Sequence, residues 1–70
     1  MVWLNFTDLK ENEVQFRMLD MTGRVVIAQQ YTVEGLLQTE VNVESLSNGV
    51  YVVELLDGAT KREQRLIIQH

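Results

Sequence analysis

Few side chains in this 70-residue sequence are of the types that run reactions, and their spacing gives them no mechanism. His70 is the one histidine; it stands last, with no acid or nucleophile at a fixed spacing, and reads as a frayed terminus rather than a general base. Asp20-Met21-Thr22-Gly23 superficially carries the Asp-Thr-Gly of aspartic proteases. The methionine breaks the spacing, however, and no second aspartate stands in like context. Asp bonding its own downstream backbone and Gly taking positive φ make a turn instead. Asp8, Glu11 and Glu13 offer oxygens to a calcium ion, yet such a loop converges its ligands around a glycine bend, and no glycine stands there. Asn5-Phe6-Thr7 fits the glycosylation acceptor pattern but falls inside an expected strand. Trp3 and Tyr31 are the rings least explained by a core; a sugar-stacking platform needs both exposed on one surface. No catalytic residue, metal site or cofactor is expected, and a free-standing enzyme is set aside.

Charge excludes a further class of function. The formal net charge is −4 and the isoelectric point about 4.7. Nucleic-acid affinity depends on clustered Lys and Arg displacing counterions, so no nucleic-acid partner is expected. The local exception is Lys61, Arg62 and Arg65 near the C-terminus. They are either a solvated charged strand that guards a sheet edge or a docking patch for an anionic partner. Without cysteine there are no disulfides, thiolates or thiolate metal sites, and no redox evidence about compartment. No apolar run approaches the roughly 18 residues of a membrane span, so no direct membrane insertion is expected. No signal peptide precedes the domain, so an exported chain would travel as part of something longer. Residues 1–70 read as a single domain. At 46% hydrophobic and 23% charged, its composition is globular, although a chain this small buries only about 60% of its unfolded surface.

Short strands divided by turns would have to position anything functional. Val2, Leu4 and Phe6 alternate with Trp3, Asn5 and Thr7, the period of a half-buried strand. Asp8 to Asn12 is a polar turn, after which Val14, Phe16 and Met18 form the apolar face of a second strand. Asp20 to Gly23 turns the chain into a third strand, Arg24 to Tyr31. Its Val25-Val26-Ile27-Ala28 run suggests burial on both faces or a change of sheet. After a loop at Thr32 to Gly35, Leu37, Thr39, Val41 and Val43 alternate cleanly with polar residues. Leu46 then plugs one end of the core, and Asn48-Gly49 supplies a tight turn. Val50 to Leu56 and Lys61 to Gln69 make a terminal hairpin around Asp57-Gly58, a dipeptide suited to a type I′ turn.

That turn sets Glu54 opposite Lys61, a favourable pair, but also Val53 opposite Arg62 and Tyr51 opposite Gln64. Two polar side chains then share the face of Leu66 and Ile68. Either their long stems cover the rim of the core or a bulge near Lys61 to Gln64 corrects the register. The expected core is Leu4, Phe6, Val14, Phe16, Met18, Ile27, Val41, Val43, Leu46, Tyr51, Val53, Leu55, Leu66 and Ile68. No helix of normal length is signalled, and strands at roughly ten-residue spacing favour an all-β sandwich or small barrel.

The order and spacing of Leu19 to Val26, Leu46-Ser47-Asn48-Gly49-Val50-Tyr51, Asp57-Gly58 and the basic-to-apolar ending Lys61 to Ile68 resemble the C-terminal sorting domain of the Bacteroidetes type IX secretion system. The resemblance runs from about Val14 to Ile68. It implies an immunoglobulin-like β-sandwich of about six to seven antiparallel strands at the end of an exported protein. Such a domain is read in the periplasm by the type IX secretion machinery, and its cargo is attached to the cell surface or released. The family's Asn-Pro element ahead of its first strand is absent, which suggests a domain excised from a larger secreted protein or trimmed at its front. Positions matching the pattern are Gly23, Leu46, Gly49, Tyr51, Gly58, Lys61, Arg65, Ile67 and Ile68. The glycines are expected to serve turns and Leu46 and Tyr51 the core, leaving the exposed face of the last strand for direct recognition. Free edges invite a homodimer by edge-strand pairing or strand exchange. The competing reading is an immunoglobulin- or fibronectin-like spacer, or a carbohydrate-binding module, within a surface enzyme.

Overall fold

The computed structural model describes all residues, 1–70. Six strands follow one another: β1 (Val2–Phe6), β2 (Glu13–Leu19), β3 (Val25–Thr32), β4 (Leu37–Val41), β5 (Gly49–Asp57) and β6 (Thr60–Ile68). They form two antiparallel sheets, a two-stranded β1-β4 and a four-stranded β3-β2-β5-β6. This is a small all-β sandwich, compatible with the immunoglobulin-like arrangement. The alternations anticipated for β1, β2 and β4 hold, because each strand faces the core on one side only.

Leu4, Phe6, Leu37 and Val41 from the small sheet meet Val14, Phe16, Met18, Tyr51, Val53, Leu55 and Ile68 from the large one. Met18, Val53 and Leu55 are wholly enclosed. The expected core is right for eleven of its fourteen members; Ile27, Leu46 and Leu66 are only partly buried against it. The core also takes Leu9, Val33 and Val43 from loops, of which Val43 alone was anticipated. Leu9 and Val33 are inserted because their amides bond Gly35 O and Asn12 O, which ties the two loops at one end of the sandwich together.

Strand β3 differs from expectation. It neither changes sheet nor is buried on both faces: it is an edge strand, with Val25 and Ala28 exposed. A register shift between Met18 and Leu19 sets Ile27 opposite Met18 but Val25 opposite Leu19, so Val26 is the extra residue of a bulge.

The β5–β6 hairpin lies one residue further along than the turn chemistry suggested. Asp57 pairs with Thr60, and the two turn residues are Gly58-Ala59. Positive φ falls on Gly58 (60°) and not on Ala59, which fits a type II′ turn rather than type I′. Glu54 consequently stands opposite Glu63 instead of Lys61, and Tyr51 opposite Leu66. No bulge interrupts this pair. Arg62 remains on the core-facing side, and its guanidinium leaves over the rim to donate to Thr7 O and Asp8 O at 2.5 and 2.8 Å. The tight turn expected at Asn48-Gly49 is likewise displaced: Leu46 N bonds Val43 O, and Gly49 already belongs to β5.

Candidate functional site at one end of the sandwich

The strand registers sort the sequence-matched positions between two ends of the molecule. Leu19 pairs with Val52 and Gly49 with Ile68, so the β2–β3 turn, the loop before β5 and the end of β6 lie together. Gly23, Leu46, Gly49, Tyr51, Arg65, Ile67 and Ile68 belong to this end. Gly58 and Lys61 belong to the other, beside Lys10 and Glu11. The positions therefore do not form one site.

Each turn at the first end is fixed by its own side chains. Asp20 accepts from the Thr22 amide, the Thr22 hydroxyl and the Arg24 amide through one carboxylate oxygen, at 2.9, 2.6 and 3.0 Å. These donors, the Thr22 hydroxyl foremost, hold the Asp20 pKa below its ordinary value. Gly23 closes the turn at φ 88°, in the left-handed region glycine occupies without strain. Leu46-x-x-Gly49-x-Tyr51 is a tyrosine corner: the buried Tyr51 ring turns its hydroxyl back to donate to Ser47 O at 2.8 Å. His70 is not a frayed terminus. Its amide donates to Asn48 Oδ1 at 3.0 Å and its Nε2 lies 2.8 Å from Leu46 O, which clasps the C-terminal residues to the motif loop.

The β5–β6 pairs alternate between the core and the outer face. Tyr51 and Leu66 point inward; Val50 with Ile67 and Val52 with Arg65 point outward. Ile68 is buried at 4% exposure whereas Ile67 beside it is 71% exposed. Met21, 70% exposed, lines a shallow cleft with Asp20, Thr22, Asn48, Gly49 and Val50. An apolar surface thus runs from Met21 across Val50 to Ile67, with Val52 and Arg65 beside it. Met21, Val50 and Val52 were not singled out from sequence. Alternation with Tyr51 and Val53 already turns Val50 and Val52 outward, but only the hairpin register sets them beside Ile67 and Arg65, and Met21 is visible once the turn around it is seen to point its side chain to solvent.

Lys61 and Arg65 both lie on the outer face, but in unlike surroundings. Lys61 Nζ reaches Glu54 Oε2 at 3.5 Å and Glu63 Oε1 at 3.9 Å, while Arg17 holds the other Glu54 oxygen at 2.6 Å. These cations, Arg17 first, keep the Glu54 pKa below its ordinary value against the pull of burial. Arg65 has no carboxylate partner within 4.0 Å. The aromatic pair weighed for sugar binding is split: Trp3 is 69% exposed, but Tyr31 packs edge-on against Phe16 with centroids 6.3 Å apart and shares a hydrogen bond with Thr39. A flat platform is not formed.

The family model described as the secretion system C-terminal sorting domain matches residues 1–69. No curated protein matches the chain, and no solved structure does.

Proposed function

The chain belongs to the secretion system C-terminal sorting domain family, and from that premise we propose that the outer surface of Met21, Val50, Ile67 and Arg65 is what the type IX machinery reads. Domains of this family are C-terminal signals for type IX secretion, which takes their proteins to the cell surface or the outside. The family is a sorting signal and not a catalytic one, which favours it over the spacer or carbohydrate-module reading.

In this reading the 70 residues are one folded address, and any catalysis belongs to the exported protein that bears it. Ile67 carries the proposal. Ile67 is 71% exposed at the end of a strand, beside a buried isoleucine and an unpaired arginine, so most of its side chain meets solvent rather than the core, even with Val50 as its cross-strand neighbour. An apolar anchor flanked by an unpaired cation is the composition of a recognition patch. Gly23, Leu46, Gly49, Tyr51, Gly58 and Ile68 then act by holding the turns and core on which that patch rests. The domain also retains four free sheet edges, through which we propose it can pair with itself.

A reporter carrying a signal peptide and this domain, expressed in a host with a type IX system, tests the assignment. The intact domain is expected to bring the reporter to the outside. Ile67→Ser with Arg65→Ser should leave the reporter in the periplasm while the purified domain stays folded. Undiminished export of that double variant would exclude the patch; failure of the intact domain, in a host that exports its own cargo, would exclude the sorting role for this chain.

A further inference from the structure

We propose that the free edge of β3 is a self-association surface, on which the β3 of a second copy of this chain pairs antiparallel and joins the two four-stranded sheets. This goes beyond export and identifies which edge is used. The sandwich has four free edges, and they are not equally guarded. Strand β6 carries Lys61, Arg62, Glu63 and Arg65 within nine residues, and β4 carries Glu40. Charged edge residues are the usual device against unwanted pairing. Strand β3 is Val-Val-Ile-Ala-Gln-Gln-Tyr-Thr, eight residues with no charge and no proline. Strand β1 is also uncharged but spans only five residues, and shortness is itself a protection.

Two further features favour a second copy as the occupant. Each copy carries a formal charge of −4, so two copies repel least where the pairing strands themselves carry no charge; the nearest carboxylates are Glu13, bonded to Gln30, and Glu40, which lines the groove beside Ile27 and Tyr31. An antiparallel pair of identical strands also has a two-fold axis through one residue, which makes the contact self-complementary and closed. With the axis at Gln29, Ile27 of each copy faces Tyr31 of the other on the core side, and Ala28 faces Gln30 on the outer side. Ile–Tyr is a β-branched to aromatic pair of the kind that stabilises neighbouring strands. Ile27 and Tyr31 are both only partly buried in the single copy, on the rim of a groove that Phe16 and Val41 floor. A paired strand would cover that rim. The bulge at Val26 confines the flat, pairable part of the edge to the residues after it.

Sedimentation equilibrium of the 70-residue chain from micromolar to millimolar concentration tests this, with circular dichroism to confirm folding. A concentration-dependent dimer is expected. Gln29→Lys sets two ammonium groups opposite each other at the axis and should weaken the dimer at least about tenfold, since like charges in register are strongly disfavoured. Gln29→Glu does the same with the opposite sign and serves if the lysine variant unfolds. Gln64→Lys, on the β6 edge, should leave association unchanged. A monomer at millimolar concentration, a dimer that survives both Gln29 variants, or one abolished by Gln64→Lys would each overturn the proposal. Export of the reporter is measured separately and does not depend on the outcome.

Discussion

The Tyr51 hydroxyl donates to the carbonyl of Ser47 four residues upstream, at 2.8 Å, and so turns the Leu46 to Tyr51 segment into a brace for the loop. The most distinctive stretch of the sequence is therefore structural. Tyr51 lies at 6% exposure, so the bond is made by a largely buried side chain. Tyr51→Phe should cost about 1 kcal/mol, the net worth of one such hydrogen bond. In a domain of this size that lowers the melting temperature by about 4 to 8 °C. Export of a reporter at a temperature where the variant is folded should be unchanged, because the reading surface is not touched.

Gly58 is held at φ 60°, and a methyl added there would stand 2.8 Å from Glu11 Oε1. Two separable costs follow for Gly58→Ala: a left-handed backbone, roughly 1 to 2 kcal/mol, and displacement of a side chain. Glu11→Ala in the same chain should recover only the second. Gly58→Asn should be less harmful than Gly58→Ala, since Asn visits this conformation at lower cost. Denaturant midpoints of the three variants and the wild type check the ordering.

At the same end, Asp57 accepts from the Lys10 and Glu11 amides, each at 2.7 Å, and pins the loop after β1 to the β5–β6 turn. The Lys10 amide is the main cause that holds the Asp57 pKa below its ordinary 3.8, with the Glu11 amide and the charge of Arg62 adding to it against burial. A folded pKa below the unfolded one means that the contribution is complete above about pH 4 and is lost as pH falls through the folded value. Glu54 and Asp20 are shifted the same way and add to the acid limb. The melting temperature should therefore be flat near neutrality and fall below about pH 4. The difference between wild type and Asp57→Asn should shrink over that same interval; a constant difference would refute the latch.

How much of this was legible follows from which forces are local. Alternation in Val14 to Met18 and Leu37 to Val41 reports a one-sided core directly, so these strands and their faces could be read. Asp57-Gly58 misled because the local preference for an Asp-Gly turn lost to a contact 46 and 47 residues away: Asp57 is drawn into β5 to serve the Glu11 and Lys10 amides. The apolar run Val25 to Ala28 misled because its exposure comes from being an edge, and sequence does not show the strand order. Leu9 and Val33 sit in loops without periodicity, so nothing marked them as core. Ile68 could be read as core and Ile67 as its outward neighbour from alternation with Leu66, but which residues of β5 stand beside Ile67 depends on the hairpin register, one residue away from the turn chemistry.

The Arg17–Glu54 pair joins β2 to β5 on the outer face, 2.6 Å apart, with Glu54 nearly enclosed and Arg17 still 41% accessible. Because the cation keeps its access to water, the coupling should be nearer that of surface pairs than of buried ones, about 1 kcal/mol. A double-mutant cycle with Arg17→Met and Glu54→Gln measures it. A value above about 3 kcal/mol would place the pair among buried ion pairs instead.

Lys61 and Arg65 lie on one face of one strand, yet their surroundings predict opposite phenotypes. Lys61 spends its charge within the domain, on Glu54 at 3.5 Å and Glu63 at 3.9 Å, and it stands at the Gly58 end. Arg65 has no such partner, pairs across the sheet with Val52, and stands beside the exposed Ile67. Both changes to alanine should alter stability by no more than about 0.5 to 1 kcal/mol, the range for surface residues and exposed ion pairs. If the machinery reads net basicity along the strand, the two variants should impair export equally. If it reads the patch around Ile67, Arg65→Ala should lower export of the reporter while Lys61→Ala exports as wild type. The arrangement of charges favours the second outcome. Ion pairing already screens Lys61 from an outside partner, whereas Arg65 presents an uncompensated guanidinium next to an apolar anchor. Equal loss in both variants, with melting temperatures matched to wild type, would move the reading surface from the end of β6 to its whole outer face.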